Sequence, residues 1–525
     1  MTNLSIRLLI RPVAYAVAAL MASGSFAQAQ VPELTPVPML PTGGGVSIPD
    51  VGGVESSLSW SEERQFGDQI AYQIQQDLAY ERDTLLHDYV SHIWMRLLQA
   101  ARQDGELNPD LYRQMAWKMF LVRDPTVNAF ALPGAYIGVN LGLIAVVKSQ
   151  DELASVLAHE SVHIFQRHIA RMYGRSSDAT LLSIASMIAG AIVASANPNA
   201  GAAIFMSGPA LIVQDQINFT RAMEYEADRI GYKVLVDAGF RPQGMADMFQ
   251  ILSTAMRYSD TTNYPYLRTH PLDSQRIAEA QTRIGIEIRD REIPVDVLQG
   301  MMSARARVLS RSSQSDALQQ MMGRGSVMVL QGQRADTYAG DLYAGVLASA
   351  KLRQFNEASQ MLEVLLAQVQ GDEQAMRVVQ LLGVEIALLE GDAAKALAWL
   401  GEADIPSGSM FERTERLIRA QVAVASGQPV RAIELLQPWV VAHADDDSAW
   451  GILAQAYRLN QQMALSLRAE GEVRMVVGDF NGAIDRFRVA RSHNEGTNIY
   501  DLELIQSRLK AAEQELQNQM ELSRR

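Results

Sequence analysis

The 525-residue chain contains no cysteine. Disulfides, thiolate nucleophiles, cysteine-based zinc fingers and lipid attachment through an N-terminal cysteine are therefore excluded, and any metal site must use His, Asp or Glu. Basic residues are scarce relative to acids, 46 Lys plus Arg against 59 Asp plus Glu, for a formal charge of -13. No dense basic stripe occurs of the kind a phosphate backbone requires, so nucleic acid is excluded as the main partner. The apolar run at residues 12–22 is well short of the ~20 residues that span a bilayer. What remains is ordinary globular material, 48% apolar and 20% charged, long enough for two or three domains at ~150 residues each.

Arg7 and Arg11 precede that apolar run, and Ser25-Phe26-Ala27 or Ala27-Gln28-Ala29 supplies a small-residue cleavage signature. The pattern predicts a secretory signal peptide over residues 1–29 and an exported mature chain. Residues 30–58, with Pro32, Pro36, Pro38, Pro41, Pro49 and the glycines at 43–45, predict a flexible leader. Ser59 with Glu62 predicts a capping box opening a helix that runs through Tyr72, Ile74 and Leu78, and the apolar spacing at 84–101 predicts a second helix. Residues 117–122 and 135–139 read as strands of a small sheet, and Ser149 as the cap of the next helix. Residues 179–213, two small-residue apolar arms around Asn197-Pro198-Asn199, predict a buried helical hairpin or a flap over a cleft in preference to membrane insertion.

Beyond about residue 290 strand signals vanish and a repeat emerges. Ala358, Ala396, Ala432 and Ala483 each follow a turn-forming pair by the same distance, at Arg353-Gln354, Gly391-Asp392, Gly427-Gln428 and Gly478-Asp479. The intervals of 38, 36 and 51 residues approach the ~34-residue tetratricopeptide period, the longest hiding a degenerate unit around residues 454–469.

The chemistry is concentrated in His159-Glu160-Ser161-Val162-His163. On a helix, spacing i, i+4 sets both imidazoles on one face, able to present two nitrogens to one Zn²⁺, with Glu160 beside them as a general base. A histidine six residues after His163 would define one subclass; His168 lies five after, without an intervening glycine, and reads as a supporting or surface residue. A third ligand is better sought in the helical stretch 221–238. There Glu224 and Asp228 share a face, so one can coordinate metal while the other accepts a hydrogen bond from a ligand imidazole. Glu226 points elsewhere and reads as a solvated or locally paired carboxylate.

Together with residues 128–134, Asn-Ala-Phe-Ala-Leu-Pro-Gly, and with Thr269-His270-Pro271 and Arg276, these motifs resemble the zinc metallopeptidases that include the prenyl-protein CAAX protease and the heat-shock protease HtpX. The likeness covers about residues 60–290. With an export signal and a repeat array it is similar to the periplasmic β-barrel assembly-enhancing branch of that family. The resemblance implies one zinc held by His159, His163 and Glu224, with Glu160 as catalytic base, Asp228 orienting a ligand and His270 at the metal or the cleft. His270 then either fills a fourth coordination position or stabilises an oxyanion; the bland alternative is a helix-entry histidine. The membrane-embedded relatives have several transmembrane helices, from which this chain departs.

The expected fold is α+β, a mainly helical zincin-type metallopeptidase domain with a small sheet over 59–295, followed by an all-α tetratricopeptide solenoid over 296–525. The strand at 135–139 either adds substrate strands at its edge or is sheet core. The resemblance implies hydrolysis of misfolded or misassembled outer-membrane proteins, with the repeats reaching the β-barrel assembly machinery. The alternative is a periplasmic chaperone with a latent metal site.

Overall fold

Ser59 caps the first helix by reciprocal bonds: its hydroxyl accepts the Glu62 N–H at 3.2 Å and the Glu62 carboxylate accepts the Ser59 N–H at 2.9 Å. The computed structural model describes residues 58–174, 210–257, 263–284, 295–326, 334–401, 405, 407–493 and 498–522. The expected signal peptide, the leader up to residue 57 and the apolar arms before residue 210 lie outside them.

Helix α1 (Trp60–Gln76) ends at Asp77, short of the expected Leu78, which is 95% exposed, because the chain must extend to form β1 (Tyr80–Glu81). After α2 (Thr84–Gln103) and α3 (Pro109–Gln114) come β2 (Lys118–Val122), β3 (Ala129–Leu132) and β4 (Tyr136–Asn140). Sheet order is β1-β2-β4-β3, with β2 and β4 parallel and the outer pairs antiparallel. Thus β4 is central and buried along its whole length, and Tyr136 stacks on Phe120 with ring centroids 5.4 Å apart. Both its edges are taken, so substrate cannot add there, and the edge strands are β1 and β3. Gly138 is required in β4, since a Cβ would meet the Phe130 ring at 2.2 Å.

Short α4 (Leu141–Val146) leads to α5 (Gln150–Phe165), whose Ser149 cap accepts the Glu152 N–H. Then follow α6 (His168–Gly174), α7 (Ala210–Asp237), α8 (Gln243–Arg257), the single turn α9 (Tyr266–Thr269) and α10 (Ser274–Ile284). Helix α5 is buried by α2, α7, α8 and β3. From α2, Trp94 donates its indole N–H to Ser161 at 2.9 Å, and Gly231 lets α7 approach so closely that a Cβ would lie 3.3 Å from the His159 nitrogen.

The remaining helices are α11 (Val297–Ser310), α12 (Ser315–Ser326), α13 (Ala335–Lys351), α14 (Phe355–Gln368), α15 (Glu373–Glu390), α16 (Ala393–Leu400), α17 (Glu412–Ala425), α18 (Pro429–Ala442), α19 (Asp447–Leu459), α20 (Met463–Val476), α21 (Phe480–Ser492) and α22 (Ile499–Leu522). Several consecutive helices pack as hairpins, and five turns close identically. A residue at positive φ (Arg353, Gly391, Gly427, Gln461 or Gly478) is followed by one whose N–H reaches the carbonyl five residues back at 2.8–2.9 Å. Ala358, Ala396, Ala432 and Ala483 are fully buried at the same phase.

The expected boundary at 295/296 does not fall at a break in packing. One core runs from Leu85 to Phe411. Ser303 of α11 donates to the carbonyl oxygens of Ile144 and Val147, at 2.9 and 3.0 Å, and buried Arg305 pairs with Asp83, the cap of α2. Farther on, Thr414 donates to Asp88, Lys118 pairs with Asp445, and Phe480 meets Tyr72 edge to face. Among the described residues no helix is long and apolar enough to cross a membrane.

Candidate metal centre

Helix α5 carries His159, Glu160 and His163, α7 carries Glu224, Glu226 and Asp228, and the chain leaving α9 carries His270. Packing α5 against α7 brings one donor atom from each of His159, His163, Glu224 and His270 within 4.8 Å of one another. His159 Nε2 lies 3.1 Å from His163 Nε2, 3.3 Å from His270 Nδ1 and 3.3 Å from Glu224 Oε2. Glu224 Oε1 is 3.0 Å from His270 Nδ1 and 3.6 Å from His163 Nε2.

These separations suit a small cation. Bonds of ~2.0–2.1 Å in tetrahedral geometry set donor atoms roughly 3.3 Å apart. The charge balance agrees. Burial opposes charge on His159, yet Asp228 and Glu224 together push its pKa up to about 10, so this pocket of carboxylates draws in a positive charge. Burial would raise the Glu224 carboxyl, but His270 and His159 hold it well below the usual range. His163 is pushed well below the ordinary imidazole value by burial and by its histidine neighbours, which keeps a lone pair for a metal.

Glu160 is fully buried beside these donors. One oxygen accepts the N–H of Ala131 on β3 at 3.1 Å; the other has no hydrogen-bond partner and lies 3.3 Å from His270 Nε2. Burial raises its pKa against the opposing pull of His270 and His159, as suits a proton acceptor.

Asp228 does not reach the cluster itself. It accepts from His159 Nδ1 at 3.0 Å and is gripped by Arg276 at 2.6 and 2.9 Å. Arg276 also approaches Glu224 at 2.9 Å, so one buried guanidinium sets both acids. Glu224 and Asp228 share one face of α7, Glu224 facing His159 Nε2 and Asp228 facing His159 Nδ1. His168, 1% exposed, is no surface residue, and Glu226 is locally paired with it and with Arg171.

Sequence reasoning missed Tyr266. Its ring stacks on His270 with centroids 4.5 Å apart, and burial together with Glu160 and Glu224 keeps its hydroxyl neutral by raising its pKa well above the usual phenol value. Its only sequence signal is its place four residues before His270 across one helical turn.

The chain matches the model of peptidase family M48 over residues 95–284. It is similar to the β-barrel assembly-enhancing protease of Escherichia coli strain K12, 30% identical over 81% of this chain and 83% of the relative. The putative β-barrel assembly-enhancing protease of Vibrio cholerae is 27% identical over 85% and 88%. The mitochondrial metalloendopeptidase OMA1 of Saccharomyces cerevisiae is 29% identical over 36% of this chain and 53% of its own.

Proposed function

The chain belongs to the β-barrel assembly-enhancing proteases of peptidase family M48, and from that premise we propose that this zinc metalloprotease is exported to the periplasm and cleaves misfolded or misassembled outer-membrane proteins. The observation that carries the reading is the cluster of His159, His163, Glu224 and His270 with Glu160 beside it.

In this reading His159, His163 and Glu224 hold the zinc. Zinc, when bound, polarises the scissile carbonyl and makes water a competent nucleophile near neutral pH. Glu160 takes the proton of the attacking water on its unbonded oxygen and delivers it to the leaving amine. Asp228, set by Arg276, orients His159. The outermost strand β3 receives the substrate as an added strand, through backbone bonds that do not depend on sequence, which suits a protease for loosely folded targets. The hairpins from α13 onward act as a tetratricopeptide array that docks substrate or the β-barrel assembly machinery, supported by their repeated turn and alanine phase.

Four protein donors also favour a second reading, a chaperone or assembly factor whose metal site stays latent, because catalytic zinc keeps one position open. Cleavage of casein by the purified chain, abolished by a chelator and by Glu160→Gln, supports the protease; assembly activity undiminished in Glu160→Gln, without any cleavage by the parent, supports the chaperone.

A further inference from the structure

His159 and His163 each turn one ring nitrogen into the cluster, and their outward nitrogens meet different partners. Asp228 faces His159 Nδ1. Behind His163 stands a longer chain: His163 Nδ1 lies 2.8 Å from His168 Nδ1, His168 Nε2 lies 3.1 Å from Glu226 Oε2, and Arg171 Nη1 lies 3.1 Å from the same oxygen.

The proton positions in this chain are forced. Glu226, ionised beside Arg171, can only accept, so His168 Nε2 must carry a hydrogen. His168 is buried, with Arg171 nearby, and a neutral ring with hydrogen on Nε2 leaves Nδ1 bare. Two bare nitrogens at 2.8 Å would repel, so His163 Nδ1 supplies the hydrogen. His163 Nε2, facing Glu224 and His159, is then a free lone pair. The opposite arrangement would aim a bare His168 nitrogen at a carboxylate and put a hydrogen on the nitrogen that faces the cluster.

We infer that His168, backed by Glu226 and Arg171, is a positioning residue that locks His163 in its metal-binding tautomer, the counterpart for the second histidine of what Asp228 does for the first. This rests on the reading of His163 as a zinc ligand. His168 is not itself a ligand, since its near nitrogen is spent on His163. Glu226 and Asp228 thereby acquire parallel tasks on one helix, two residues apart, Asp228 on the face it shares with Glu224 and Glu226 off that face.

The test is zinc affinity of the full chain by competition with a chromophoric chelator, comparing His168→Leu with His168→Asn. The two replacements are nearly isosteric, and the asparagine oxygen occupies the place of Nδ1 and accepts the same hydrogen. His168→Leu is expected to weaken zinc binding about 10- to 100-fold, and His168→Asn to recover most of the loss. A role in packing alone would rank them the other way, leucine being the better filler of a buried site. Parental affinity in the leucine variant, or asparagine binding as weakly as leucine, overturns the inference. Should the leucine variant not fold, Glu226→Ala, which frees the His168 tautomer from a half-buried position, must weaken binding, and parental affinity there overturns the inference equally. His163→Ala separates the underlying reading: if that variant keeps parental affinity, His163 is not a ligand, whatever the His168 variants do.

Discussion

Glu160 Oε2 accepts the backbone N–H of Ala131 at 3.1 Å, tying the motif helix to the outermost strand of the sheet. One carboxylate therefore touches both the edge strand β3 and the cluster of donors, with its second oxygen unbonded. Glu160→Gln preserves volume and can keep the bond to Ala131, yet its amide cannot take a proton from water. Zinc content should be unchanged and peptide hydrolysis should drop by about 10²- to 10⁴-fold. Near-parental activity in a metal-replete variant sinks the assigned base.

Glu224 and Glu226 are two residues apart and differ in what they face, the donor cluster for one and His168 with Arg171 for the other. At saturating zinc, Glu226→Gln should retain one metal per chain, while Glu224→Gln should lose it or bind too weakly to survive gel filtration. Metal analysis decides, and loss confined to the Glu226 variant would reverse the two roles.

His270 sits within the donor set, and the loop that carries it also bonds the chain just before β3: Val127 donates to the Asn263 carbonyl at 2.8 Å and Tyr266 to the Val127 carbonyl at 3.4 Å. One loop thus bonds the chain at the start of the edge strand β3 and supplies a fourth donor, a closed arrangement. Opening it by His270→Ala should raise casein cleavage at constant zinc stoichiometry. A fall in activity would assign His270 to oxyanion stabilisation instead, worth about 10²-fold or more. Unchanged turnover and unchanged metal affinity would remove it from the site.

Much of this was legible in the residues because short-range rules govern it. The Ser59 capping box, the i, i+4 pairs and the alanine phase depend on neighbours along one helix. What stayed hidden depends on contacts across the fold. Strand β4 had a strand signature, but only the pairing with both β2 and β3 makes it central. His168 lacked a helical partner in sequence, and its two neighbours come from α5 and α7. Within the 51-residue interval the α19–α20 hairpin has the same turn, with Gln461 in the left-handed position that glycine takes in three of the others and buried Ser466 in the alanine phase, its hydroxyl satisfied by the Ala454 carbonyl at 2.8 Å. The boundary near 295 looked like a change of composition, while the core passes through it.

That continuous core makes a truncation informative. A fragment ending at residue 295 loses Leu298, Met301, Met302 and Val308, each nearly or wholly buried, and leaves the Ile144 and Val147 carbonyls without Ser303. At about 1.5–3 kcal/mol for each side chain, the loss rivals the ~5–15 kcal/mol total of a typical domain. Such a fragment should lack a cooperative thermal transition and bind zinc poorly. A sharp transition with parental zinc affinity would establish an independent metallopeptidase domain and leave the later helices free to be tested alone for partner binding.

Glu152, 1% exposed in the first turn of α5, is the acid through which pH should reach the fold most directly. Burial pushes its pKa from 4.5 up to about 7; Asp247 pushes the same way, while the Lys148 N–H, donated at 2.6 Å, and the Lys148 charge oppose them. Below about pH 4.5 the carboxyl is protonated in both folded and unfolded chains and costs nothing. Between about 4.5 and about 7 the unfolded chain ionises freely while the folded one holds its proton, so the fold loses stability as pH rises, and the penalty is complete above about 7. At ~1.4 kcal/mol for each pH unit in that window, the cost is about 3 kcal/mol at most. Glu152→Gln keeps an oxygen for the Lys148 N–H and never ionises. Relative to the parent it should therefore be neutral at pH 4.5 and raise the melting temperature at pH 8, with the difference growing between. Thermal melts of both chains in excess chelator, which removes the separate pH dependence of zinc binding, measure that difference. A gap that is constant across the window, or that shrinks toward pH 8, would show that Glu152 does not stay protonated in the folded chain.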